Sequence, residues 1–228
     1  RTAGATKTSL DGTALKELTA MLGMQVPPQK IECYDISHTQ GDVAVGSRVV
    51  FINGRPQPQL YRKFNIRTVE GVDDYASLEE VLERRFRHVW MDSNGSMVDE
   101  DDPWSMPDLI VIDGGVGQLG AAVKGMLKAS ILPRVPSVGT ALVAAEQDGE
   151  IVEEVIGEVE SFKYSRSVDV CSLAKNHEEV FQYGRSSAVN DSPDSAALLL
   201  LRSLRDESHR FALKAHRQRR SKLAGLRP

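Results

Sequence analysis

Four positions in this chain carry a carboxylate or an imidazole whose presence needs explaining. Asp35 stands inside Tyr34-Asp35-Ile36-Ser37-His38, and Asp113 ends the run Leu109-Ile110-Val111-Ile112 just before Gly114-Gly115. Asp73-Asp74 stand before a stretch of helical periodicity, and His209 lies in the most helical part of the sequence. A carboxylate at the end of a buried strand is costly unless a cation accompanies it. Two or three such groups that converge make a hard-oxygen site for Mg²⁺ or Mn²⁺. A metal held there can acidify a bound water and stabilise the phosphoryl charge of an in-line displacement.

Simpler alternatives exist for each. Asp74 could cap its helix, and Asp113 could serve turn chemistry with the glycines after it. Asp35 is harder to dismiss, because acids avoid apolar strands. At about 100° per residue, Arg202, Arg205, His209, Leu213, His216 and Arg220 share one helical stripe. The apolar stripe of Leu201, Leu204, Phe211 and Ala215 lies well away from it. His209 is therefore either a solvated surface residue or a site residue flanked by arginines. Arg217, Arg219, Arg220 and Lys222 follow on the same helix. They either match the helix dipole or bind phosphate, and no aromatic residue interleaves them for base stacking. The match of residues 115–120 to G-x-G-x-x-G is a weak dinucleotide signal, because no acid follows at the required distance.

The elements that must position these groups change period along the chain. An amphipathic stretch around residues 13–24 ends at Pro27-Pro28. Residues 30–36 and 43–52 read as strands, Asn53-Gly54 as a hairpin turn, and 60–66 as the returning strand. Tyr75, Leu78, Val81, Leu82, Phe86 and Val89 recur at helical spacing. Residues 91–107 read as an inserted acidic loop, the likeliest place for disorder. Residues 109–112 read as a buried strand, 118–129 as a helix, 137–144 and 168–173 as strands, and 151–164 as a possible hairpin arm. A long helix opens at Pro193-Asp194. Hairpin strands followed by alternating helices and strands predict a mixed α/β sheet. The predicted organisation is a helical segment and linker over 1–29, a domain over 30–222 and a tail over 223–228.

Length and composition permit this. The 228 residues are 41% hydrophobic and 26% charged, as in an ordinary globular chain. Two cysteines, Cys33 and Cys171, read as reduced, buried thiols. No apolar run is long enough for a membrane span. The chain begins at Arg1 without a signal-peptide pattern, and is expected to be a piece of something longer. The net charge of -4 argues against nucleic acid only as an average: residues 202–228 hold nine basic and two acidic residues, leaving +7 there and -11 elsewhere.

Taken in order, IECYDISHTQ (31–40), residues 61–66 with Asp73-Asp74-Tyr75, PDLIVIDGGVGQL (107–119), SLAK (172–175), DESHRFA (206–212) and HRQRRSK (216–222) resemble the C-terminal catalytic domain of the UvrC family of bacterial excision-repair endonucleases. The resemblance implies a ribonuclease-H-like fold, with catalytic positions at Asp35, Asp74, Asp113 and His209. It implies Mg²⁺ or Mn²⁺ held by Asp35 and Asp113, with His209 as a ligand or proton shuttle and Asp74 acting electrostatically or through the metal's waters. It implies DNA contacts from Ser37, Lys175, Arg210, Arg217, Arg219, Arg220 and Lys222. The implied reaction is hydrolysis of a phosphodiester 5′ to a lesion in double-stranded DNA, with a UvrB-like partner in the full-length protein. The expected location is the bacterial cytoplasm, at the nucleoid, or alternatively the stroma or matrix of a eukaryotic organelle.

The GIY-YIG, UvrB-interaction and helix-hairpin-helix parts of the family are missing from this sequence, so the piece alone is expected to cut poorly. Val116 stands where the family usually carries Lys, which removes a cation from the glycine turn. That departure keeps open a second reading, a non-catalytic DNA- or protein-binding module.

Overall fold

A computed structural model describes residues 3–39, 43–69, 71–90, 102–136, 142–147, 150–155, 166–175, 178–189 and 192–224. The chain opens with α1 (Ala3–Leu22), longer than the amphipathic stretch in the sequence suggests. Leu15, Leu18 and Leu22 bury their side chains against the last helix, so α1 belongs to the core. Strands β1 (Lys30–Thr39) and β2 (Val43–Ile52) then pair antiparallel.

Asn53 and Gly54 both take positive φ (50° and 76°), as the two-residue hairpin turn requires. The returning strand is shorter than predicted. It is broken into β3 (Arg55–Pro56), a 3-10 turn (Pro58–Leu60) and β4 (Arg62–Asn65), all folded against β2. Pro56 and Pro58 lack the N–H groups a continuous ladder needs.

Helix α2 (Asp74–Trp90) is followed by β5 (Leu109–Asp113), α3 (Val116–Lys128) and β6 (Ile131–Pro133). Strands β7 (Leu142–Gln147) and β8 (Glu150–Val155) form a separate two-stranded sheet; 137–141 of the strand expected over 137–144 and 156–164 of the hairpin arm expected over 151–164 lie outside the described residues. Strand β9 (Arg166–Leu173), a short β10 (Val180–Gln182) that the sequence did not announce, and α4 (Ala196–Ala224) complete the chain.

The main sheet runs β10-β9-β5-β1-β2-β3, with β4 beside β2 and β6 beside β9. Strands β1, β5 and β9 are parallel, and β2 and β10 run against them. Alternation along each strand divides the core in two. Ile31, Cys33, Leu109, Val111, Cys171 and Leu173 face α1 and α4. Tyr34, Ile110, Ile112, Val168 and Val170 face α2 and α3. Covered on both faces, β5 is a continuous buried apolar strand. Helices α2 and α3 cross closely: a Cβ on Gly125 would lie 2.3 Å from the Glu79 carbonyl oxygen. Cys33 and Cys171 are free and buried.

Candidate metal centre

The strand register creates the site. Tyr34 of β1 lies opposite Ile112 of β5, so the next residue on each strand, Asp35 and Asp113, emerges on the same face of the sheet. That face is the one α4 covers, because Cys33 and Val111, two residues earlier, point to α1 and α4. Both acids are nearly fully buried. Leu201, Leu204 and Ala212 of α4 pack into the core, and Ser208 is buried beside them. The Ser208 hydroxyl meets the Ser47 hydroxyl of β2 at 3.1 Å, which seats α4 against the strand next to β1. His209, one residue on, is left at the rim with a side chain 38% exposed.

From there His209 reaches both acids. Its Nε2 lies 2.5 Å from Asp113 Oδ2 and 3.7 Å from Asp35 Oδ1. One donor atom from each of the three residues falls within 4.8 Å of the others. Among the described residues neither buried Asp113 oxygen has a hydrogen-bond partner, and its cationic neighbours are the rim His209 and the exposed Lys175. A buried carboxylate in that condition wants a cation. Burial and the charge of Asp113 push the Asp35 carboxyl up from its ordinary 3.8 to about 7. Two carboxylates and an imidazole crowded within 4.8 Å of one another fit a divalent metal.

The other expected site residues are distributed around this centre. Lys175, just past β9, brings its Nζ to 3.7 Å from Asp113 Oδ2 while remaining 60% exposed. The Ser37 hydroxyl, two residues beyond Asp35 on β1, is buried and has no hydrogen-bond partner among the described residues. Asp74 is not part of the three-residue group. Its carboxylate pairs with His38 Nε2, and the capping role open to it falls to Asp73, whose Oδ1 accepts the Ala76 N–H at 2.9 Å. Arg210 is held by Glu207 at 2.5 and 2.6 Å, and Glu207 also accepts the Tyr61 hydroxyl. Arg217, Arg219, Arg220 and Lys222 lie on the backbone of α4, but their side chains are outside the described residues. In the glycine turn, Gln118 Oε1 accepts the Gly115 N–H at 3.0 Å, so the chain itself uses an amide that a nucleotide phosphate would need.

His38, Ser47 and Ser208 went unnoticed in the sequence. Only the position of His38, three residues after Asp35, gave any signal.

A mixed sheet with an Asp–Asp–His group at the C-terminal ends of adjacent parallel strands, closed by a long last helix, makes this an RNase H-like α/β domain. A family model described as UvrC RNAse H endonuclease domain matches residues 19–213, and the chain belongs to that family. It is 41% identical over 215 residues to the UvrABC system protein C of Geobacter sp. (strain M21), covering 94% of this chain and 28% of that protein. The identity to the Acaryochloris marina protein of the same name is 39% over 221 residues, covering 94% and 30%. The chain thus spans under a third of the length of these relatives. Among solved structures, it is similar to Ciona intestinalis endonuclease V in complex with a 24mer DNA (TM-score 0.39, 10% identity, 88% of this chain and 96% of that one). It is also similar to the catalytic domain of human endonuclease V (TM-score 0.33, 17% identity, 92% and 97%).

Proposed function

We propose that this chain is a divalent-metal-dependent DNA endonuclease domain, acting within a UvrC-type protein to hydrolyse a phosphodiester 5′ to a lesion in double-stranded DNA. The observation that carries the reading is the buried Asp113 carboxylate, without a hydrogen-bond donor, beside Asp35 and His209. These three residues would hold the cation, Mg²⁺ or Mn²⁺. Bound there, it would supply an acidified water and neutralise developing phosphoryl charge.

The chain's own groups do the rest. Asp35 and Asp113 hold negative charge at the floor of the site, and His209 closes it from the exposed rim. Lys175, exposed and facing Asp113, meets the incoming phosphate and offers the cation that Val116 does not. Ser37, two residues beyond Asp35 on β1, offers a hydroxyl without a partner among the described residues. Asp74, tied to His38 at the start of α2, orients groups at the edge of the site. Arg210 and the α4 residues Arg217, Arg219, Arg220 and Lys222 contact the DNA backbone. In this reading the full-length protein works with a UvrB-like partner at the nucleoid of the bacterial cytoplasm, a proposal supported by the names of the relatives above.

The test is nicking of supercoiled and lesion-bearing DNA with Mn²⁺ or Mg²⁺. Wild type is expected to nick and Asp35→Asn is not. Equal nicking by the two rejects the assignment. DNA binding without cation binding by calorimetry would instead favour the non-catalytic module.

A further inference from the structure

Glu178 lies outside the metal centre, yet it links the two elements that reach into it. It sits in the turn between β9 and β10, with a left-handed backbone (φ 54°), a conformation that costs a β-carbon-bearing residue free energy and persists when surrounding contacts enforce it. Its carboxylate takes two arginines of α4: Oε2 pairs with Arg202 Nη2, and Oε1 lies 3.3 Å from Arg205 Nη2. These arginines are largely covered, with side chains 24% and 15% exposed. Arg202 also donates to the Pro193 carbonyl at 3.0 Å, which fixes it at the start of the helix.

The two ends of this link are functional. The Ala174 N–H donates to the Glu179 carbonyl at 2.9 Å, which ties together the two ends that carry Lys175 and Glu178. Lys175 is the group that faces Asp113. On the other side, Arg205 stands one helical turn before His209, on the same face of α4. The sheet alone does not set the distance between Lys175 and His209, because one lies past the end of β9 and the other on a helix packed across it.

Resting on the nuclease reading above, we infer that Glu178 is a positioning residue. It locks the Lys175 turn to α4, so that Lys175 and His209 are presented together to Asp113 and to the phosphate. Arg202 and Arg205 are occupied in this lock and are not DNA contacts.

The experiment compares the 228-residue chain with Glu178→Gln, Lys175→Ala and the double variant, with Glu178→Asp as the conservative control. At saturating DNA and Mn²⁺, Glu178→Gln is expected to lower kcat about tenfold, the range seen when a supporting partner is lost. Glu178→Asp is expected to recover most of that loss. In the Lys175→Ala background, the added loss is expected to shrink to under about twofold, because the two residues act as one unit. Additive losses, or no recovery with Asp, overturn the proposal. Amide hydrogen exchange decides it without any catalytic readout: Glu178→Gln should speed exchange at residues 173–175 and at 202–209 together. Exchange that is unchanged, or changed at one end only, overturns the lock even if the chain nicks DNA. Coupled exchange in a chain that neither nicks DNA nor binds Mn²⁺ by calorimetry would instead remove the nuclease reading and leave the lock standing.

Discussion

Two buried carboxylates stand three residues apart on β1 and point to opposite faces of the sheet. Glu32 faces α2 and is satisfied completely. Arg85 binds it in two-pronged fashion at 2.8 and 3.0 Å, Arg48 lies at 3.3 Å, and the Tyr34 hydroxyl donates at 2.5 Å. The same two arginines donate to the carbonyls of Leu60, Pro103, Trp104 and Ser105, and Lys30 also donates to the Ser105 carbonyl. Trp104 lies under Arg48 and Arg85, with ring-centre distances of 4.7 and 5.5 Å. Residues 103–105, the described end of the stretch read as an inserted loop, are thus clamped to the fold. Asp35 faces α4 and meets a second carboxylate and a rim histidine instead.

Burial acts on both acids, and the neighbours decide the sign. For Glu32, burial would raise the carboxyl, but Arg85 and Arg48 outweigh it and hold it down at about 2. For Asp35, burial and Asp113 act together and lift it to about 7. The lesson is that a buried acid supplied with internal cations is architecture, and one left short of them is a place for an external cation.

The largest expected effect breaks the architectural half. Glu32→Gln leaves two fully buried arginines without their counter-ion and should cost roughly 3–5 kcal/mol of unfolding free energy in urea, as expected for a broken buried pair. The folded fraction should retain its metal affinity. A loss below about 1 kcal/mol, the range of exposed pairs, would mean that the knot is no more than a surface ion pair.

Asp113→Asn breaks the other half in the opposite way. Nicking should fall at least about a hundredfold, as for loss of a metal ligand. Thermal stability without metal should hold or rise, because a like-charge contact with Asp35 is removed. A drop in stability comparable to that of Glu32→Gln would erase the distinction between the two acids.

The pH dependence sharpens the contrast. Glu32 has a folded value near 2 against an ordinary 4.5, so its stabilisation is full above about 4.5 and is lost as pH falls towards 2. Asp35 has a folded value near 7 against an ordinary 3.8, so the folded state keeps a proton that the unfolded state has released. Its contribution therefore declines as pH rises from about 4 to about 7. Denaturant melts across this range should show the second slope in wild type and not in Asp35→Asn, and chelation followed by added Mn²⁺ should flatten it.

The smallest expected effect tests the clamp. Trp104→Leu removes the ring under the guanidinium groups of Arg48, Arg62 and Arg85 and should cost about 1–2 kcal/mol, with nicking by the folded protein unchanged. A change in nicking with no change in stability would tie this end of the sheet to catalysis.

The candidate metal residues were legible because each breaks a local rule. An acid interrupts or ends an apolar strand at Asp35 and Asp113, and a histidine falls off the apolar stripe at 209. The Glu32 knot was not legible. An acid between Ile31 and Cys33 reads as the solvent-facing member of an alternating strand, and its arginine partners lie 16 and 53 residues away. Asp74 was legible as a helix-start acid, but its partner His38 lies 36 residues away across the fold. Glu178 gave no signal, because a polar residue in a turn is ordinary until its backbone angle and its two arginines are seen.

The sequence by itself determined the order of the main strands and helices, the hairpin at Asn53-Gly54, the long basic last helix and the short list of groups able to hold a cation. Those follow from local periodicity and from the cost of placing acids in apolar runs. Tertiary structure decided which acids share a face. The parallel register of β1 with β5 sets Asp35 beside Asp113, and the seating of α4 by Ser208 brings His209 to them. Convergence depends on pairings between residues far apart in the chain, which no local pattern encodes.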